Sequence, residues 1–277
     1  MNRTLNDSLG THYAGSDLLA AVQRALATLD AEPGTLSPRH WAALDEFHVR
    51  GAEATRALAG FLGVAPGWRV LDLGCGLGGA ARYLAREHHC RVLGLDLTAD
   101  YCRVGQWLTR QLGLTERVAF IQADAAHLPL TDGAFDAVWT QHTAMNIPDK
   151  AGLYAGIRRV LKPTGQLALY DVLAGPGGEP HFPVPWASEP AQSFLATPDE
   201  LRQQLHDAGF TVSHWRDVSA AGLTWFERQA ARGDGSPRAL GLHLLLGSAL
   251  PTMIRNLRRN LAEGRVILLE AVARVAA

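Results

Sequence analysis

Cysteine is scarce in this sequence, and its positions fit neither a disulfide set nor a metal site. Three cysteines, Cys75, Cys90 and Cys102, occur among 277 residues, without a Cys-x-x-Cys pair or a His-Glu-x-x-His motif. An odd number of scattered cysteines is typical of a reducing compartment, and the missing motifs exclude the common zinc sites. The polar N-terminal residues lack the apolar core of a signal peptide. We therefore expect a cytoplasmic protein without a bound metal.

Basic clusters and long apolar runs are also missing. The formal net charge is -1, whereas nucleic-acid binding needs clustered Lys and Arg side chains opposite the phosphates. No apolar run approaches the roughly 20 residues of a membrane span. The sequence thus predicts neither a nucleic-acid partner nor a membrane partner, and it leaves a homodimer open. Because 47% of the residues are hydrophobic, the chain can bury one substantial core.

The N-terminal part of the chain shows helical periodicity. Apolar residues recur at helical spacing, and candidate N-caps precede them. We interpret residues 1–63 as a helical N-terminal cap and residues 64–277 as the core that it covers. Helices are predicted over 16–29, from 37 onwards and over 51–62.

Short runs rich in Val, Leu, Ile and Phe alternate with helical stretches in the rest of the chain. Such an alternation is typical of an α/β fold, in which helices cover both faces of a parallel sheet. Bounded runs of this kind are the usual signal of buried strands. Strands are predicted at 68–73, 91–96, 117–122, 135–140, 165–172, 210–217 and 264–275.

A proline-rich segment interrupts this rhythm at 174–198. Proline removes a backbone donor and is excluded from helix interiors and central strands. Ordered loops of this length in compact domains are usually functional lids. The aromatic side chains of Trp186, Trp225 and Phe226 are candidates for the wall of an acceptor pocket, although core packing is the better explanation for each of them taken singly. The prolines of the segment are Pro176, Pro180, Pro183, Pro185, Pro190 and Pro198.

A glycine-rich loop follows the first predicted strand and opens a helix. Its sequence, LDLGCGLGG over 71–79, places Gly74, Gly76 and Gly79 in a GxGxxG pattern. Glycines allow a tight turn that brings backbone N–H groups close to a ligand. The pattern alone fits a nicotinamide-nucleotide site as well as other nucleoside cofactors.

Three aspartates distinguish these possibilities. Asp72 lies inside the first strand, where a carboxylate attracts a positively charged amino-acid group. Asp96 ends the second strand and is suited to accept both hydroxyls of a ribose. Asp124 follows the third strand and is suited to accept from an adenine amine. Because ligands bind at the carboxyl edge of open α/β sheets, we expect all three side chains at one site.

With these motifs the chain resembles the class I S-adenosylmethionine-dependent methyltransferases. The resemblance rests on the glycine loop, the strand-end aspartates, FDAVW on the fourth strand and RVLKPTG before the fifth. It implies a Rossmann-like, seven-stranded, mostly parallel sheet whose closing strand is antiparallel, and S-adenosylmethionine as cofactor. The chain is similar to a small-molecule branch that includes sarcosine/dimethylglycine, sugar and natural-product methyltransferases. Thr164 departs from the family, which usually has a second glycine there.

The resemblance also implies a set of cofactor-binding residues. Those around the glycine loop lie near the methionine part, those after the second strand near the ribose, and those after the third near adenine. The set comprises Asp72, Gly74, Cys75, Gly76, Asp96, Leu97, Asp124, Ala125 and Gln141.

Methyl transfer demands alignment of the acceptor and exclusion of water more than it demands a base. His142, in the loop after the fourth strand, is the candidate base, with Asp171 as its partner. Sugar-methylating relatives carry a histidine pair in this loop, but it corresponds to Met145 and Asn146 here, so their base mechanism does not transfer. A histidine that only supports the loop and an aspartate that only caps a strand are the alternatives.

Further residues are candidates for closing the site over its ligands. Tyr13 corresponds to a tyrosine that folds over the cofactor in relatives, and the fixed donor fork of Arg50 suits the cofactor carboxylate. Surface positions at a helix end are the alternatives for His48 and Arg50. The full set comprises Tyr13, His48, Arg50, Met145, Asn146 and Trp186.

The sequence therefore favours a methyltransferase acting on a small-molecule acceptor through oxygen, nitrogen or carbon. Two alternatives stay open. One is a nicotinamide-dependent oxidoreductase that uses the same glycines, and the other is a regulator that binds S-adenosylmethionine without transferring its methyl group.

Overall fold

The computed structural model of this chain describes residues 17–28, 44–231 and 240–276. Within these residues, one sheet of seven strands forms the centre of the protein. The strands are β1 (Arg69–Leu73), β2 (Arg91–Asp96), β3 (Val118–Gln122), β4 (Phe135–Gln141), β5 (Leu161–Ala174), β6 (Phe210–Asp217) and β7 (Val266–Val275).

The sheet has the order β3-β2-β1-β4-β5-β7-β6. Strands β1 to β5 pair in parallel, and β7 lies antiparallel between β5 and β6. The chain first runs outward from β1 to β3 and then returns to the other side of β1 with β4. This reversal creates a crevice at the carboxyl ends of β1 and β4, the place where open α/β sheets bind ligands.

Helices cover both faces of the sheet. Because successive side chains of β1 point to opposite faces, Val70 belongs to one apolar cluster, whereas Leu71 and Leu73 belong to another. The helices are α1 (Leu18–Ala27), α2 (Ala52–Leu62), α3 (Gly79–Glu87), α4 (Ala99–Gln111), α5 (Lys150–Val160), α6 (Pro198–Asp207), α7 (Ser219–Ala231), α8 (His243–Leu246) and α9 (Leu250–Ala262).

The two faces are covered by different helices. Helices α2, α3, α7 and α9 contribute to the first cluster, whereas α5 and α6 contribute to the second. Helix α1 packs on α4, where Val22 and Leu26 meet Val104 and Leu108 in a third cluster. Among the described residues, no helix is both long and apolar enough to cross a membrane.

The structure confirms the predicted fold class and corrects several element bounds. Helix α1 begins at Leu18, because Asp17 caps it by accepting from the N–H group of Ala20 at 3.3 Å. Strand β5 begins four residues earlier than predicted, at Leu161, which pairs with Phe135 before an irregularity in the β4–β5 register. Most of the helix predicted from residue 37 lies outside the described residues, and the division at residue 63 stays a prediction.

The proline-rich segment, 174–198, returns over the end of the sheet. It contains a single 3-10 turn, Pro190–Gln192, and a bridge between Val184 and Ala187. Trp186 is buried, and its Nε1 donates to Ser193 Oγ at 2.9 Å. The backbone of the segment also contacts the loop after β4, because the Phe194 N–H group donates to the Met145 carbonyl at 2.8 Å.

Glu270, near the middle of β7, is a buried carboxylate on which several cationic or basic side chains converge. Its oxygens contact the Arg216 guanidinium, Arg50 Nη1 at 3.4 Å and His214 Nε2 at 3.6 Å, and its side chain is 1% exposed. Removing one partner of a buried ion pair is costly, because the remaining charge stays without compensation. The group therefore ties β6 and the segment before α2 to β7.

We expect Glu270→Gln to lower the free energy of unfolding by about 2 kcal/mol or more, because the guanidinium of Arg50, the more buried of the two arginines, loses its counter-charge. Glu53→Gln is the matched control, since Glu53 pairs with Arg228 in solvent and such pairs contribute about 0–1 kcal/mol. Urea denaturation of both variants measures the difference, and equal losses would contradict the assignment.

Candidate functional site

A cavity of about 260 Å³ lies at the carboxyl edge of β1, β2 and β4. It brings together most of the residues predicted from the sequence, although they come from segments far apart in the chain. The predicted residues on its wall are His48, Asp72, Gly74, Cys75, Gly76, Asp96, Leu97, Asp124, Ala125, Gln141, His142, Met145, Asn146 and Trp186.

Asp72 is a buried carboxylate with spare hydrogen-bonding capacity. Its Oδ2 has no hydrogen-bond partner in the described part of the chain, and its side chain lines the cavity. Burial and, to a lesser extent, the charge of Asp96 raise the pKa of Asp72 to about 7. The Ala81 N–H group and Arg82 oppose this shift. A buried carboxylate oxygen without a partner is unfavourable unless a donor meets it. This atom is therefore suited to a cationic group of a ligand.

The glycine turn after β1 is held against two neighbouring segments. The N–H groups of Gly74 and Cys75 both donate to the Leu95 carbonyl, at 2.8 and 3.0 Å. Gly74 has a φ of +71°, and a side chain at this position would collide with Thr143 in the loop after β4. Only glycine satisfies both conditions without strain. The Cys75 thiol is buried, which raises its pKa well above the ordinary value, so it is not a nucleophile.

Asp96 links the glycine turn to the start of α4. Its Oδ2 accepts from the Gly76 N–H group and its Oδ1 from the Thr98 N–H group, both at 2.9 Å. Burial raises the pKa of Asp96, and these backbone donors oppose the shift. The carboxylate also lines the cavity, and a pair of carboxylate oxygens is suited to accept from two neighbouring hydroxyl groups.

Asp124 and Ala125 extend the cavity wall beyond β3. Asp124 Oδ1 accepts from the Ala126 N–H group at 2.9 Å, and its Oδ2 lies 3.2 Å from His127 Nδ1. These contacts fix the side chain in a turn at the end of the sheet. The structure therefore brings the three predicted carboxylates and the glycine turn onto one cavity.

The segment before α2 contributes a buried polar cluster that the sequence only partly revealed. His48 Nε2 lies 3.1 Å from Glu46 Oε2 and 3.2 Å from Gln141 Nε2. Thr55 Oγ1 donates to Glu46 Oε2 at 2.9 Å, and Trp139 Nε1 donates to Gln141 Oε1 at 2.9 Å. The sequence predicts His48 and Gln141 as site residues but not Glu46. Its position two residues before His48 in the chain was the one indication that Glu46 belongs to the same cluster.

Burial keeps this cluster uncharged near neutral pH. It lowers the pKa of His48 to about 4, and it raises the pKa of Glu46 to about 8, with the charge of Asp45 adding to the latter. The contact between them is therefore a hydrogen bond between neutral groups rather than an ion pair. Such a cluster fixes side-chain positions in the wall without adding a charge beside the ligand.

His142 occupies the wall in a strained conformation. Its φ is +50°, which is uncommon for residues other than glycine and is found at functional sites. Its N–H group donates to the Tyr170 carbonyl at 2.8 Å, and its ring lies 4.9 Å from the Tyr170 ring and 5.9 Å from the His48 ring. Burial, with His48, lowers the pKa of His142 well below its ordinary value. Its Nε2 has no hydrogen-bond partner among the described residues.

Two predicted residues, Asp171 and Arg50, do not take the positions that we expected. Asp171 does not line the cavity, since its carboxylate accepts the N–H groups of Ala144 and Val172, both at 3.0 Å. These contacts favour the alternative role of Asp171 as a cap at the strand end, and its pairing with His142 stays a prediction. Arg50 extends instead to Glu270, whose Oε2 lies 3.4 Å from its Nη1. Tyr13 lies outside the described residues.

Lys150 joins the loop after β4 to the proline-rich segment. Its Nζ donates to the carbonyls of Ala144, Ile147 and Phe194, at 2.7, 2.5 and 2.7 Å. Burial lowers the pKa of Lys150 to about 8, opposed by the nearby charge of Asp171. The sequence did not indicate this role, because a lysine at a helix start is usually exposed.

Asn146 and Trp186 strengthen the same connection. Asn146 Nδ2 donates to the Trp186 carbonyl at 2.7 Å. The loop, the lysine and the segment thus form one structural unit at the cavity.

Within the ranges that the structure covers, no group of three or more His, Cys, Asp or Glu side chains is arranged to hold a metal ion.

Comparison with known proteins identifies the central part of the chain. Residues 71–169 match a family described as a methyltransferase domain. Methyltransferase GfsG from Streptomyces halstedii is 36% identical over 130 residues, which are 47% of this chain and 47% of that protein. A glycine/sarcosine/dimethylglycine N-methyltransferase from Actinopolyspora halophila is 32% identical over 175 residues, 63% of this chain and 31% of that protein. The chain spans less than half of the length of each of these curated relatives.

Solved structures resemble the whole fold. Geranyl diphosphate C-methyltransferase from Streptomyces coelicolor A3(2) aligns with a TM-score of 0.68 and 20% identity, over 82% of this chain and 79% of that one. The [4+2]-cyclase SpnF aligns with a TM-score of 0.65 and 24% identity, over 93% of both chains. These likenesses confirm the Rossmann-like class I methyltransferase fold.

The buried carboxyl of Asp72 predicts a pH dependence of stability in the ligand-free protein. Folding raises the pKa of Asp72 from the ordinary 3.8 to about 7. The contribution of Asp72 to the free energy of unfolding is therefore fully present below about pH 4 and is lost as the pH rises through about 7. Asp72→Asn keeps the shape without titrating. Between pH 4 and 8 we expect the wild type to lose about 4 kcal/mol of unfolding free energy relative to this variant.

Urea denaturation at several pH values measures this difference. Asp100→Asn is the control, since Asp100 lies in α4 beside Arg103 and is partly exposed. A constant difference between wild type and Asp72→Asn over this pH range would show that Asp72 is not a buried, uncompensated carboxyl.

Proposed function

We propose that this chain, which carries a methyltransferase domain of the class I fold, is an S-adenosylmethionine-dependent methyltransferase of small molecules. The observation that carries the proposal is the convergence of Asp72, Asp96, Asp124 and the glycine turn on one cavity. Neighbours with the same fold support it, since their structures contain S-adenosyl-L-homocysteine or S-adenosylmethionine.

The residues on the cavity wall fit this cofactor. The unpartnered Oδ2 of Asp72 suits the ammonium of its methionine part, and the two carboxylate oxygens of Asp96 on the cavity wall suit the ribose hydroxyls. Asp124 and Ala125 suit the adenine. When bound, the cofactor supplies a methyl group on a positively charged sulfur.

The chain's own contribution is enclosure, alignment and proton handling. The loop after β4 and the proline-rich segment, joined by Lys150, exclude water from the cavity. The cluster of Glu46, His48 and Gln141 holds the wall in one arrangement. His142, neutral because of burial, is available to accept a proton from an acceptor that is protonated at working pH. Asp171 acts indirectly, by fixing the backbone on which the loop begins.

Two other activities compete with this proposal. A nicotinamide-dependent oxidoreductase would use the same glycine turn, but a buried carboxylate at Asp72 is unsuited to the cofactor's diphosphate. A function without methyl transfer has a precedent in this fold, since one neighbour is named a [4+2]-cyclase.

From the cysteine usage we also propose a cytoplasmic location.

We expect Asp96→Ala to weaken binding of S-adenosyl-L-homocysteine by about 1–3 kcal/mol, or roughly 5- to 150-fold, because charge-assisted hydrogen bonds are lost. Asp100→Ala is the matched control, because this aspartate lies in the first turn of α4 and pairs with Arg103. Isothermal titration calorimetry measures both affinities.

The same titration with NAD(H) separates the competing functions. Tighter binding of NAD(H) than of S-adenosyl-L-homocysteine would overturn the proposed function. Unchanged S-adenosyl-L-homocysteine affinity in Asp96→Ala would overturn the ribose assignment alone.

A further inference from the structure

The part of the cavity beyond the glycine turn has an apolar wall. Trp186 of the proline-rich segment, Met145 of the loop after β4 and Phe226 of α7 belong to one apolar cluster that also includes Leu257 of α9. Trp225 and Ile254 pack against this cluster and line the cavity as well. Four separate segments thus present apolar surface to the same space. A ligand that fills it gains by burying apolar area.

The described part of the cavity wall offers no counter-charge to an anionic acceptor. It contains no Lys or Arg side chain, and its acidic residues are Asp45, Glu46, Asp72, Asp96, Asp124 and Asp149. Two buried cations of the protein are engaged elsewhere, because the Arg82 guanidinium pairs with Asp45 and Lys150 donates to three backbone carbonyls. A phosphate or carboxylate that leaves water without a cationic partner pays a large desolvation cost. An acceptor that carries either group is therefore disfavoured.

One polar atom marks where the acceptor's reactive group belongs. His142 Nε2 is buried at the wall and has no hydrogen-bond partner in the described residues. Such an atom is costly unless a ligand satisfies it. The neutral imidazole offers either a lone pair or an N–H group there, and a hydroxyl group is able to pair with both.

We propose that the methyl acceptor is an uncharged molecule with a largely apolar body and a hydroxyl group that bonds to His142. This inference rests on the proposed function and extends it to the substrate class. The apolar body lies against Trp186, Trp225 and Ile254, and the hydroxyl oxygen faces the transferred methyl group.

The transfer is balanced in atoms and charge. The acceptor oxygen forms a bond to the methyl carbon, the carbon–sulfur bond breaks with its electron pair going to sulfur, and the hydroxyl proton passes to His142 Nε2. One positive charge disappears at sulfur and one appears on the imidazole. Because the net charge of the cavity does not change, the low basicity of a buried histidine is compatible with this step.

The test is calorimetric titration of the full chain, saturated with S-adenosyl-L-homocysteine, with three probes of the same ring system. We expect 1-naphthol to bind at least tenfold more tightly than 1-naphthyl phosphate and 1-naphthoate. Equal or tighter binding of either anion, or no measurable binding of 1-naphthol, would overturn the proposal. The preceding titration with S-adenosyl-L-homocysteine tests the proposed function separately, since its failure alone would reject that function.

Variants at the wall give a second readout. Ile254→Lys adds a positive charge to the apolar wall, so we expect it to raise the affinity for 1-naphthyl phosphate at least fivefold, whereas the control Ile254→Met does not. We expect His142→Ala to lower the affinity for 1-naphthol at least fivefold. No response to the added charge would show that the probes bind elsewhere, and unchanged 1-naphthol affinity in His142→Ala would contradict the hydroxyl contact.

Discussion

The carboxylate of Asp96 accepts hydrogen bonds from two segments that would otherwise be independent, the glycine turn and the start of α4. Asp96 ends β2, whose preceding carbonyl, on Leu95, receives the N–H groups of Gly74 and Cys75. The end of β2 thus sets the conformation of the turn after β1. The turn in its place also packs closely against Thr143 of the loop after β4, which leaves no room for a side chain at Gly74.

Around this edge the protein keeps its buried polar groups uncharged. Burial raises the pKa values of Asp72 and Glu46 and lowers those of His48 and His142, so each tends toward its neutral form in the ligand-free protein. A positively charged ligand changes this balance, because it favours the ionised carboxylates. The ligand-free site is therefore suited to a positively charged ligand.

The sequence was a good guide wherever position along a strand determines position in space. Asp72, Asp96 and Asp124 lie at the carboxyl ends of adjacent parallel strands, so their proximity follows from the order of the sheet. It was a poor guide where side-chain direction depends on distant partners. Arg50 contacts Glu270, 220 residues away in the chain, and Asp171 is occupied by the backbone amides of Ala144 and Val172. Residue type and spacing carry no information about either contact.

Hydrogen–deuterium exchange with and without S-adenosyl-L-homocysteine tests most directly whether these carboxylates and the glycine turn form one cofactor site. The account predicts slower exchange of backbone amides at 72–79, 95–98 and 124–126 when the ligand is present, with no comparable change in helix α6, which does not line the cavity. Protection confined to other segments, or no protection at all at saturating ligand, would contradict it.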